Sequence, residues 1–460
     1  MTGNSQFNLI KNLFKRINTH WLLGLYALIT AGFYFLPARG AAFPGFFVIY
    51  SLQFLVYGIL LLILRSQSLN LKAILTYSLL IRAIALFSEP ILENDFRRYL
   101  WDGRVLANGI NPYLYEPMAP ELDHLDISYR ENIGWKEYKT IYPPVSMAVF
   151  ALTHFLAPDS LIGLKIVFIV FELLTGLVVL LWLRRKHVED KWAAVYFLNP
   201  LLIKEIANSA HLDAIVVFFS VLSAYLFYLG VKSESFVRRM LGWIFLATAV
   251  ASKIYPIVFM PLYFKFDSRR WTGLFLFFLF LLMFYLPFYS AGSSLFHGTE
   301  AFAKHWAFNG SIYRVFDFIA THTLSFLSEL ETFSPNLIDI ISKYDRLPKT
   351  ISAFCLFVFV LWRSKKVTEV DNLSKELLFA VGALLMLSPV TNAWYVMWLL
   401  PFAAMEKSFS FLLFSYLVVA GYSWWYSKDN SIYFRSAEYL IFYSSLIYEY
   451  FFKDRKKTGN

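Results

Sequence analysis

Apolar runs of membrane-crossing length recur along the whole chain, and that feature removes most folds from consideration. They fall at about 20–36, 44–64, 72–88, 161–183, 192–208, 212–230, 240–264, 271–289, 350–362, 375–389, 394–405, 408–426 and 437–452. A bilayer core about 30 Å thick asks a helix for about 20 apolar residues. The spanning backbone must also satisfy its own N–H and C=O groups. The runs are continuous rather than alternating, which argues against a transmembrane β-barrel. The expected fold class is an all-α polytopic integral membrane protein, a helical bundle of about 11–14 spans with helices in its outer loops.

Composition agrees. Hydrophobic residues make up 58% of the 460 positions and charged ones 16%, where soluble domains carry about 25%. The net charge of +10 does not indicate a nucleic-acid partner, because the basic residues sit in short clusters between runs, as the positive-inside rule requires. Lys11, Lys15 and Arg16 place the N-terminus inside, and Arg65 and Lys72 mark the next inner loop. Arg184-Arg185-Lys186, Lys232–Arg239, Arg269-Arg270, Arg363–Lys366 and Lys453–Lys457 follow on the same side. Residues 1–19 are polar and basic, and the first apolar run is expected to be retained as a span rather than cleaved. The one cysteine, Cys355, lies in an apolar run and reads as a packed thiol without a partner in the chain.

Two segments need special treatment for this topology to close. The run after Pro143-Pro144 is too short to span and is expected to be a re-entrant or interfacial helix. Residues 240–264 begin and end at basic clusters, so they are expected to break near Ser252-Lys253, helped by Pro256. That puts Lys253 near the outer face. Residues 89–143 and 290–349 then form two outer loops folded onto a single integral domain, 1–460.

The first outer loop concentrates chemistry. Glu93-Asn94-Asp95-Phe96-Arg97-Arg98-Tyr99-Leu100-Trp101-Asp102-Gly103-Arg104 packs carboxylates, arginines and aromatics between apolar runs. Such charge is costly near a membrane unless it has a task. Asp95 and Asp102, seven residues apart, share a helix face. Either suits a general base toward an acceptor hydroxyl, a ligand to a divalent cation, or a salt bridge to the neighbouring arginines. Arg97, Arg98 and Arg104 fit a phosphate through their guanidinium forks, or a lipid headgroup. Gly109-Ile110-Asn111-Pro112-Tyr113 shapes a turn. Tyr142 opens the short helix, facing a sugar or anchoring the interface. His211 and Asp213 lie at a turn between spans, where they suit sugar or phosphate contact, or a metal with Glu205. Lys253 suits a substrate phosphate, a pair with Asp213, or snorkelling to the interface. Asn309, with His305-Trp306 and Tyr313-Arg314, suits sugar recognition or an interfacial aromatic helix. There is no G-x-G-x-x-G after a strand and no P-loop.

The string Asp95–Arg104, followed by Gly109, Asn111-Pro112-Tyr113 and Pro117, resembles the first outer loop of bacterial polyprenyl-phosphate-sugar-dependent glycosyltransferases of the C type (GT-C), in their mannosyltransferase-like branch. Tyr142-Pro143-Pro144, Asn199-Pro200, Ser209–Asp213, Lys253 with Pro256 and Pro261, and Trp306–Ser311 continue the resemblance in order. It implies inverting transfer of a hexose, mannose by the family's habit, from a polyprenyl-phosphate donor to a glycan or glycolipid acceptor. The reaction would take place on the periplasmic or exterior side of the cytoplasmic membrane. It puts Asp95 at the position of the catalytic carboxylate and leaves Arg97, Arg98, Asp102, Arg104, Tyr142, His211, Asp213, Lys253 and Asn309 as substrate contacts. It fixes no cofactor, and a divalent cation is an open option. The rival reading from the residues is a lipid-sugar or small-molecule transporter or flippase, whose ionisable groups would cluster near the midplane rather than at one face. A polymerase or ligase of lipid-linked glycans would lack the Asp95–Arg104 string, and a non-catalytic scaffold leaves that string unexplained.

Overall fold

The computed structural model describes residues 17–37, 39–329 and 347–453. Lys11, Lys15, Arg16, Arg455–Lys457 and part of the second outer loop lie outside the described residues. The described chain is helical, and its only β pairing is a pair of isolated bridges from Phe308 and Asn309 to Val390.

Five helices are long and apolar enough to cross a bilayer unaided: Gly40–Ile63, Leu161–Arg185, Asp213–Lys232, Arg270–His305 and Leu347–Lys366. The fourth kinks at Gly292, whose φ of 52° no bulky residue adopts easily. The other expected spans are shorter or broken. Residues 192–208, expected as one run, form a helix Ala194–Phe197, a break capped by Asn199, and a buried π-helical turn Ile203–Asn208. Residues 394–405 likewise split into a 3-10 turn Ala393–Trp398 and a short helix Leu400–Glu406. Broken helices are tolerated at membrane depth only where neighbouring protein satisfies the freed backbone, and every residue of Ile203–Asn208 is buried.

The helix Leu161–Arg185 starts at a Ser160 cap that accepts from the Gly163 amide at 3.1 Å and ends on Arg184 and Arg185. Midway, Glu172 takes both prongs of Arg82, at 2.6 and 2.8 Å, while Arg82 Nη1 also donates to the Phe197 carbonyl at 2.9 Å. This buried bidentate pair locks helix Leu71–Leu86 to Leu161–Arg185 and satisfies a carbonyl freed by the break.

The first unusual segment is a short helix, and the second breaks at the expected place. Pro144–Leu156 is a 13-residue helix, about 20 Å long at 1.5 Å per residue and too short to span. Phe236–Val250 ends at a turn, and Tyr255–Phe259 and Met260–Phe266 lead away from it. The Val145 amide donates to Ala251 O and the Ser146 hydroxyl to Ser252 O, each at 2.8 Å. The short helix is thereby fastened to the turn that carries Lys253. On its other side it packs against helix Phe96–Ala107 so closely that a Cβ on Gly103 would lie 2.5 Å from Phe150 O.

Candidate active site

Asp95 stands at the N-terminus of helix Phe96–Ala107, and its side chain caps no backbone amide. It is walled by protein yet still reached by solvent. Burial raises its carboxyl to about 6; Lys253, Arg98 and Lys204 draw it back down, and Asp213 pushes it further up. Neighbouring Glu93 is pushed up as well, by burial first and by Asp95 second.

Facing Asp95 is a second group from the turn before helix Asp213–Lys232 and the turn at Lys253. Lys253 Nζ meets Asp213 Oδ1 at 2.7 Å, and the Trp398 indole donates to the same oxygen at 2.5 Å. Lys253 also lies over the rings of Tyr395 and Trp398, at 4.3 and 5.0 Å. Those rings stack in a column with Tyr255. His211 is stacked on Trp394 at 4.1 Å and approaches Glu205 Oε2 at 3.3 Å. Among the described residues, Asp213 Oδ2 and both His211 ring nitrogens are buried without a hydrogen-bond partner. Buried polar atoms are rarely left so. Lys204 joins Glu205 at 3.2 Å and the Tyr422 hydroxyl at 2.8 Å behind this group.

The structure therefore brings together Asp95, Arg98, Tyr142, His211, Asp213 and Lys253 from four separate stretches of chain. Tyr142 packs edge-on against Tyr99 at 5.2 Å, and burial with the Asp95 and Asp102 charges raises its phenol. Arg97, on the same turn of helix, lies over the Phe96 ring at 5.4 Å.

Three expected contacts go elsewhere. Arg104 spends its guanidinium on Asp159 Oδ2, at 2.6 Å, and Leu125 O, at 3.0 Å; its fork braces the loop and is not left for a phosphate. Asp102 is only 2% exposed. It accepts from Arg98 Nε at 2.9 Å and Thr140 Oγ1 at 2.7 Å, so it anchors Arg98 rather than meeting substrate. Asn309 donates to both Glu438 oxygens at 3.1 and 3.3 Å, and Tyr439 donates to its carbonyl. That clamp fixes the second outer loop to a late helix. Among the described residues, no three His, Cys, Asp or Glu side chains gather as a metal site. An open, mainly apolar depression of about 440 Å³ is lined by Phe354, Cys355, Val358, Phe359 and Trp362, all on helix Leu347–Lys366.

Sequence reasoning missed Trp394, Tyr395, Trp398 and Tyr422. They lie in apolar runs where an aromatic looks like any other core residue. Lys204 did carry a signal, being an ammonium inside an apolar run.

A polytopic helical bundle that sets a half-enclosed carboxylate against charged and aromatic side chains suits a membrane glycosyltransferase. The chain belongs to the alpha-(1->6)-mannopyranosyltransferase family, whose N-terminal domain matches residues 28–266, just over half of its length. No curated protein and no solved structure matches it.

Proposed function

We propose that this mannosyltransferase takes its sugar from a polyprenyl-phosphate donor and delivers it to a glycan or glycolipid acceptor at the outer mouth of the bundle. The observation that carries this reading is Asp95, partly enclosed, raised to about 6, and set opposite the Lys253–Asp213 pair. Asp95 removes the proton of the acceptor hydroxyl as that oxygen attacks the anomeric carbon. The bond from that carbon to the phosphate oxygen breaks, and the phosphate departs with the electron pair. Phosphate is a good leaving group, so no strong acid need be placed opposite, unlike the paired carboxyls of hydrolases. Inversion to an alpha product calls for a beta-linked donor. Lys253 and Arg98 supply positive charge toward the phosphate, and Asp213 Oδ2 and His211 take sugar hydroxyls.

Sidedness is supported by helix Asp213–Lys232. It begins in the site and ends where Lys232 meets Asp371 at 2.8 Å. Twenty residues at 1.5 Å per residue separate these ends by about 30 Å, one bilayer core. Arg363 and Glu376 pair at 2.6 Å in the neighbouring basic region. With those basic ends inside, Asp95 faces out. Single cysteines placed at Asn94 and at Lys365 in a Cys355→Ser background are expected to react with an impermeant thiol reagent from opposite sides of sealed vesicles. Same-side labelling overturns the orientation.

The function is tested by incubating purified protein with a panel of polyprenyl-phosphate sugars and nucleotide sugars. Transfer is expected from polyprenyl-phosphate mannose; transfer from a nucleotide sugar alone overturns the donor. Because the base must be ionised, kcat/KM should rise between about pH 5 and 7 and level off above. The groups facing Asp95 that set this midpoint are Lys253, Arg98 and Lys204 against Asp213. A profile flat across that window removes a carboxylate base from the mechanism.

A further inference from the structure

An exposed indole, Trp135, and a half-buried one, Trp306, meet near Asp95 without a part in that chemistry. We propose that Trp135 and Trp306 form a platform that binds a pyranose ring of the acceptor glycan; the proposal rests on mannosyl transfer at Asp95. Trp135 is 58% exposed, although it belongs to a loop packed onto the bundle. Its ring lies 4.2 Å from that of Trp306, tilted by 48°. Tyr138 stands 6.3 Å from the first indole and 5.6 Å from the second. A pyranose offers a face of weakly positive C–H bonds, and an aromatic face is negative. An exposed indole backed by a half-buried one is therefore suited to a sugar ring whose hydroxyls stay in water.

The two outer loops are assembled to make this pair. Gly298, on helix His297–His305, sits against Thr140 so tightly that a Cβ there would lie 2.3 Å from its carbonyl oxygen. Trp306 follows that helix directly and meets the first loop at Trp135. Trp135 holds φ at 57°, a conformation a bulky side chain rarely adopts. Strain of this kind persists where surrounding contacts impose it, and it gathers at functional positions. Arg98 ties this loop to the first helix of the site: its Nη1 donates to Trp135 O at 3.3 Å while its Nε holds Asp102.

The platform adjoins the base. Arg98 lies one turn along the helix that Asp95 begins, and a Cβ on Gly134 would lie 3.8 Å from Asn94 Oδ1. A ring seated on Trp135 thus has Asp95 within the reach of a glycan chain. The competing role is an indole anchoring the membrane interface at headgroup level, which membrane partition of the variants reads directly. Around the pair, Lys136 meets Glu131 at 2.8 Å, and Lys304 and His305 are exposed.

The test uses the purified full chain and methyl alpha-(1->6)-mannobioside as the probe. Saturation-transfer NMR of the wild type should show the strongest saturation on ring C–H protons. W135A should lose it about threefold or more, and W135F should keep most of it. With polyprenyl-phosphate mannose as donor, W135A should raise the mannobioside KM about tenfold, with donor KM moving less than about twofold. W306A is read in parallel, with the same losses expected, so that misfolding of one variant leaves the test standing. Wild-type saturation and acceptor KM in both variants overturn the platform. So does a wild type that gives no saturation, or a W135A that changes membrane partition alone. Saturation in the wild type that W135A abolishes, with no transfer from any polyprenyl-phosphate donor, sustains the platform and overturns the donor reading instead.

Discussion

Asp95→Asn is expected to abolish mannosyl transfer while leaving the protein folded and inserted. General-base catalysis contributes about 10²–10⁴ in rate, equivalent to about 3–5.5 kcal/mol of barrier at 1.36 kcal/mol per decade. An amide of the same shape cannot accept the proton, so the whole of that contribution should vanish from kcat. Folding should not suffer. The Asp95 side chain caps no helix amide, and its carboxyl is raised to about 6 because ionising it in this enclosure is unfavourable. A neutral isostere relieves that cost. The measurement is single-turnover transfer with saturating polyprenyl-phosphate mannose, beside a thermal melt in detergent. Turnover within about twofold of wild type would remove Asp95 from the base role. The pH dependence near 6 should disappear with the carboxylate.

The second large effect is expected at Lys253. Asp213 is fully buried, and its Oδ1 depends on Lys253 and the Trp398 indole. Removing one member of a buried pair strands the other at a cost of about 3–5 kcal/mol. Lys253→Met should therefore lower the melting temperature of the protein. It should also raise donor KM about 10–100-fold, because a hydrogen bond to a charged group contributes about 1.5–3 kcal/mol. The two effects are separable. Asp213→Leu combined with Lys253→Met leaves no stranded charge, and the double variant should recover most of the lost stability. If donor KM recovers with the melting temperature, Lys253 is a structural cation and the phosphate contact is wrong. If stability returns and the donor KM of the double variant stays well above that of Asp213→Leu alone, the ammonium meets the donor.

How far the sequence could lead depended on what kind of signal each residue carried. Asp95 and Lys253 were legible because charge in an apolar setting demands an explanation, and the break beside Lys253 was legible because Pro256 and two inner basic clusters require it. The site's far wall was not. Trp394, Tyr395 and Trp398 act through the faces and edges of rings, and aromatic rings are abundant in this chain, with 13 tryptophans and 29 tyrosines among 460 residues. Arg104 and Asn309 were assigned to substrate because their partners are remote: Asp159 is 55 residues from the first and Glu438 is 129 from the second. A local pattern shows that such a side chain needs a partner, but not that the fold already provides one. The helix count was the coarsest reading. Hydropathy sees apolar length, whereas the break at Asn199 frees carbonyls that Tyr26, Tyr57 and Arg82 from other helices take.

The column Tyr255–Trp398–Tyr395 has a consequence for how this enzyme is inherited. Residue 255 lies within the matched region 28–266, and residues 395 and 398 lie well beyond it. The last third therefore cannot drift as inert anchor, nor be exchanged freely for another hydrophobic tail: a graft that dropped the indole at 398 would leave the Asp213 carboxylate short of a donor. Kinship recorded by the first half constrains the second half at a handful of aromatic positions.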